Sequence, residues 1–71
     1  MTIEKIREDI HNNVGNVAVI MHNEGRNKIL KYKGKVIEVY RNIFVILDKD
    51  SKRSFSYNDI LTDTTRVSFK L

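Results

Sequence analysis

The sequence has no cysteine, no proline and only three glycines among its 71 residues. Without cysteine there is no disulfide, no zinc–thiolate site and no thiol nucleophile, which fits a reducing, cytoplasmic setting. Gly15, Gly25 and Gly34 are spread evenly along the chain, so no glycine-rich loop can cradle a phosphate. No apolar run approaches the roughly 18 residues of a membrane span. The opening stretch, residues 1–9, is too charged for a secretory signal. A chain of 8.3 kDa has room for one domain. What remains is a small domain, residues 1–71, expected in the cytoplasm and away from membranes.

The net charge is +4, and it is unevenly placed. Residues 1–25 carry Lys5 and Arg7 against Glu4, Glu8, Asp9 and Glu24, a net −2. Residues 26–41 carry Arg26, Lys28, Lys31, Lys33, Lys35 and Arg41 against Glu38 alone, a net +5. The remainder contributes +1. An electrostatic partner should therefore be anionic and should meet residues 26–41.

Periodicity divides the chain. Ile3, Ile6, Ile10 and Val14 recur at helical spacing, which predicts an amphipathic helix over about 3–14, with Thr2 as N-cap and Gly15 ending it. From residue 16 the period becomes two. Val17, Val19 and Met21 alternate with Ala18, Ile20 and His22, and Asn23-Glu24-Gly25 reads as a turn. From Lys28, Leu30 and Tyr32 fall on one face, with Lys31, Lys33 and Lys35 on the other. Gly34 marks a bend in that strand. Ile43-Phe44-Val45-Ile46-Leu47 has no polar face and must be covered on both sides. A hairpin loop at 48–52, a short strand at 53–56, a turn at 57–61 and a strand through Val67, Phe69 and Leu71 complete the chain. Ile60 and Leu61 are expected to plug one end of the fold. The expected architecture is mainly β: a short N-terminal helix, then a small five-stranded antiparallel barrel of the SH3-like or Sm-like kind over about 16–71. The short connections and the lack of proline suit it.

Several motifs also match a known family. Asn13-Val14-Gly15 after a short helix, Gly25-Arg26-Asn27-Lys28, Gly34-Lys35-Val36, Tyr40-Arg41-Asn42-Ile43-Phe44-Val45 and Ser54-Phe55-Ser56-Tyr57-Asn58-Asp59-Ile60-Leu61-Thr62 together resemble the Veg family of small Firmicute proteins. The similarity runs over roughly residues 3–69. It departs at Arg41, where the family often has proline. The resemblance implies an SH3-like barrel without enzymatic activity. It also implies a regulator that stimulates biofilm formation by opposing a repressor of matrix genes. It carries no catalytic or ligand-binding residues.

Enzyme chemistry finds little support in the residues themselves. His11 and His22 lie on different elements without ligand spacing, and zinc wants three or four converging ligands. Asp48 and Asp50 open a calcium-loop pattern that fails at Lys52 and Arg53. The serines lack a His/Asp partner set. No catalytic residue, cofactor or metal is expected.

Two binding features stand out. The cations Arg26, Lys28, Lys31, Lys33, Lys35 and Arg41 interleave with Tyr32 and Tyr40, as charge and stacking platforms do on a nucleic-acid groove. The same lysines would equally suit a solvated edge strand guarded against aggregation, or an acidic protein partner. Tyr32 shares its face with Leu30 and belongs more naturally to the core. In the apolar run, Phe44 and Ile46 are candidates for a dimer or partner surface. The alternative is a central strand covered by Ile3, Ile6 and Ile10. The expected partner is a protein, of the transcription-regulator class that the resemblance implies, with RNA or DNA as the second reading.

Overall fold

The computed structural model describes residues 2–70, with Lys70 described by its backbone alone. Thr2 caps the first helix, α1 (Ile3–His11), its Oγ1 accepting from the Lys5 amide at 3.2 Å, with Glu4 in the first turn. The helix stops short of the expected Val14. The Asn13 side chain donates back to the Asp9 carbonyl at 2.8 Å, and Asn16 in turn donates to Asn13. Asparagines compete in this way for backbone groups and favour helix ends. Gly15 then takes φ +94°, and Val14 is left exposed. Ile6 and Ile10 are buried and Ile3 packs beside them.

Five strands follow: β1 (Val17–Gly25), β2 (Lys28–Val39), β3 (Ile43–Asp48), β4 (Ser51–Ser56) and β5 (Thr65–Lys70). They form one antiparallel sheet in the order β4-β3-β2-β1-β5. The β1–β2 turn is Arg26-Asn27, beyond the expected Asn23–Gly25, with Asn27 at φ +56°. Asparagine tolerates that left-handed conformation better than most residues. The long strand β2 changes partner along its length: Lys28–Lys35 pair with β1, and Lys35–Val39 with β3, with a register shift between Val36 and Glu38. The change falls beside Gly34, where the sequence had placed a bend.

The stretch 57–61 forms a short helix, α2 (Tyr57–Leu61), where a turn was expected; the Ser56 hydroxyl accepts from the Asn58 amide at 3.1 Å. Tyr57, rather than Leu61, fills the interior: it is fully buried, while Leu61 is 41% exposed. Tyr57 stacks on Phe44 at 5.9 Å between ring centroids and donates its hydroxyl to the Tyr40 carbonyl at 2.8 Å. The core comprises Ile6, Ile10, Ala18, Ile20, Val36, Phe44, Ile46 and Tyr57, so α1 packs on the same inner side as the sheet's buried face.

The expected helix and five antiparallel strands are present. Among the described residues no pairing joins β4 to β5, so these strands are not seen to close into a barrel; α2 contacts both edge strands. Leu71, expected in the last strand, lies outside the described residues.

Candidate functional site

Strand alternation sends Lys31, Lys33 and Lys35 to the outer face of β2, and all three are exposed. Register then decides their company. Lys31 pairs with Met21 on β1, and Met21 with Arg66 on β5. Lys33 pairs with Val19, and Val19 with Ser68. Lys35 pairs with Val17 on one side and Leu47 on the other, and Leu47 pairs with Lys52 on β4. The outer face is therefore a lysine row flanked by an apolar row, with Met21 40% exposed and Val17 and Val19 half-buried. Among the described residues the ion pair is Lys5–Asp9 on α1, at 3.4 Å, so the lysine row carries its charge uncompensated by a salt bridge.

The six cations singled out in the sequence do not form one cluster. Arg26 occupies the hairpin turn and Lys28 follows it, on the opposite parity from the lysine row. Arg41 lies past the other end of the twelve-residue β2, where its carbonyl accepts from Arg7 Nη1 at 3.1 Å. Two cations missed from the sequence, Arg66 and Lys52, enter the same face through pairings of β5 and β4. Their alternation within 65–70 and 51–56 is the local signal; the pairing that brings them together is long-range.

The tyrosines part from the lysines. Tyr32 points to the inner side, where its ring lies 5.5 Å from Phe55 and carries the Arg53 guanidinium at 4.7 Å. Tyr40 stands half-exposed beyond β2, and a hydrogen bond and the negative charge of Glu38 raise its phenol above 10.0. Neither ring lies in the lysine row.

Phe44 and Ile46 are both fully buried in the core, which removes them as surface residues. Alternation turns them inward to meet Ile6, Ile10 and Tyr57. On the other side of β3, Ile43 is 37% exposed, Val45 8% and Leu47 half-buried. His22 Nδ1 lies 2.7 Å from the Oγ1 of buried Thr65, and His11 ends α1, so the two histidines serve separate places.

No helix among the described residues is long and apolar enough to cross a membrane. The chain matches no curated protein. It does match, over residues 1–68, the family described as "Biofilm formation stimulator VEG". The chain belongs to the Veg family, whose description is regulatory rather than enzymatic.

Proposed function

We propose that this member of the Veg family stimulates biofilm formation by binding, in the cytoplasm, a protein that represses matrix genes. The lysine row of β2 is its contact surface. The observation that carries this reading is the pairing of Lys31 with Met21 and of Lys33 with Val19 on one exposed face. Alternate charged and apolar rows match an acidic protein surface, where cations set orientation and on-rate and partly desolvated apolar side chains supply affinity.

Direct binding of RNA or DNA is the second reading, favoured by lysines that form no ion pair among the described residues. Single-strand binders combine a basic groove with aromatic platforms. Here Tyr32 packs at a tilt against Phe55 on the inner side, away from the lysines. The geometry therefore favours the protein partner.

The test is a strain lacking the protein, complemented with the parent or with Lys31→Glu/Lys33→Glu/Lys35→Glu. The triple variant should accumulate normally and fail to restore biofilm. Full restoration would remove the lysine row from the function. In parallel, anisotropy with labelled single-stranded and duplex pools reads the second hypothesis. Tight binding that weakens steeply with salt would transfer the surface to nucleic acid.

A further inference from the structure

The Tyr57 amide donates to the Asn42 carbonyl at 3.2 Å, and this bond sets the phase of the β3–β4 ladder. In antiparallel pairing, hydrogen-bonded and non-hydrogen-bonded pairs alternate. Phe55 and Arg53, paired with Phe44 and Ile46, therefore turn their peptide groups toward β3. Ser54 and Lys52, paired with Val45 and Leu47, turn theirs to the open edge of the sheet. Both residues are exposed. Beside this edge lies a cleft of about 530 Å³, with Tyr32, Phe55 and His22 in its lining and the carboxylates Glu24 and Asp59 balanced by Lys52 and Arg53.

We propose that β4 accepts an extended acidic segment of a partner protein as a sixth strand. This deepens the protein-binding reading above and rests on it. A strand added at β4 would receive hydrogen bonds from Ser54 and Lys52 and send alternate side chains to the two faces. Its inward side chains would enter the cleft beside the Tyr32 and Phe55 rings, which favour apolar groups. Its outward side chains would lie beside Lys52, which continues the lysine row through Leu47 to Lys35. The favoured segment therefore alternates apolar residues inward with acidic residues outward.

Charge also decides against a second copy of this chain as the occupant. The other open edge, β5, carries Arg66, and β4 itself carries Lys52 and Arg53. Pairing either edge of a copy with β4 would bring like charges together, and cations on an edge strand oppose such self-pairing.

The probes are a short acetylated peptide alternating valine with glutamate, and the same peptide with lysine for glutamate. Binding is followed by amide hydrogen exchange and by NMR titration. The acidic peptide should bind and slow exchange at the Ser54 and Lys52 amides, while the lysine peptide should not bind. Ser54→Pro removes an edge donor without removing a β3–β4 hydrogen bond, and should weaken binding at least tenfold. Lys52→Glu should weaken it several-fold. Absence of binding by the acidic peptide overturns the proposal, as does binding without protection of those two amides. Unchanged binding by Ser54→Pro overturns it too. If Ser54→Pro does not fold, the exchange pattern of the parent protein decides alone. Biofilm complementation separates the two readings. If Lys31→Glu/Lys33→Glu/Lys35→Glu abolishes complementation while Ser54→Pro restores it fully, the edge-strand proposal falls and the protein-binding reading stands.

Discussion

Gly34 lies against the backbone of Leu47: a Cβ at this position would sit 2.6 Å from the Leu47 carbonyl oxygen and 3.2 Å from Ile46 Cδ1. This contact occurs where β2 passes from pairing with β1 to pairing with β3. A side chain here would push the two strands apart at the junction. The obstacle is backbone, which cannot rotate away.

Gly34→Ala should therefore destabilise the fold by about 2 kcal/mol or more, as overpacking of a rigid contact does. Urea denaturation of the variant and the parent measures it. A change below about 0.5 kcal/mol would mean that the strands separate freely at this point and that glycine is not required.

Tyr57 combines two roles that substitution can separate. Tyr57→Phe keeps the ring stacked on Phe44 but removes the hydrogen bond to the Tyr40 carbonyl, at an expected cost of about 1 kcal/mol. Tyr57→Ala also removes the ring and should cost about 3–5 kcal/mol. Equal losses in the two variants would show that the hydroxyl, and not the ring, holds α2 in place.

The same phenol predicts an alkaline limb of stability. Burial raises Tyr57 above its ordinary value of 10.0, and the positive charge of Arg7 opposes that shift to a smaller extent. A raised folded-state value means that the native protein holds its proton more tightly than the unfolded chain does. The contribution is present in full below about pH 10 and is lost as pH climbs through the folded value. Stability measured across that range should fall more steeply in the parent than in Tyr57→Phe. Parallel curves would assign the alkaline loss to other groups, such as Tyr40.

Local periodicity made part of this architecture legible. The helical spacing of Ile3, Ile6 and Ile10 and the alternation of Lys31, Lys33 and Lys35 both survive in the structure, because each repeats on one face of one element. The Ile43–Leu47 run was opaque for the opposite reason. Five apolar residues in succession carry no parity, so nothing local distinguishes buried Phe44 and Ile46 from partly exposed Ile43. The short α2 was hidden among turn-forming residues, and its identity rests on Tyr57 finding Phe44 across the core. Arg66 and Lys52 joined the lysine face through sheet order, which no local pattern encodes.

That difference within one strand can be measured. Phe44→Ala empties a fully buried site and should cost about 3–5 kcal/mol. Ile43→Ser, one residue away but 37% exposed, should change stability by less than about 1 kcal/mol. Thermal or urea unfolding of the two variants decides. A severe loss for Ile43→Ser with a mild one for Phe44→Ala would reverse the facing of β3.

The lysine row should be separable from the fold. Lys31, Lys33 and Lys35 are exposed and, among the described residues, engaged in no ion pair, so their role is in what they meet rather than in what they hold together. Replacing all three by glutamate takes the formal charge from +4 to −2, since each substitution subtracts two. Surface substitutions away from special features each change stability by about 0.5 kcal/mol or less, and a net charge of small magnitude adds little self-repulsion. The triple variant should therefore melt close to the parent while moving from cation-exchange to anion-exchange retention. If it unfolds, the lysine stems contribute packing over Val17 and Val19, and its effect on biofilm would no longer report on binding. In that event the neutral variant Lys31→Gln/Lys33→Gln/Lys35→Gln keeps most of each stem and removes the charge. Loss of partner binding in that folded variant would assign recognition to the charges themselves; retention would assign it to the apolar row.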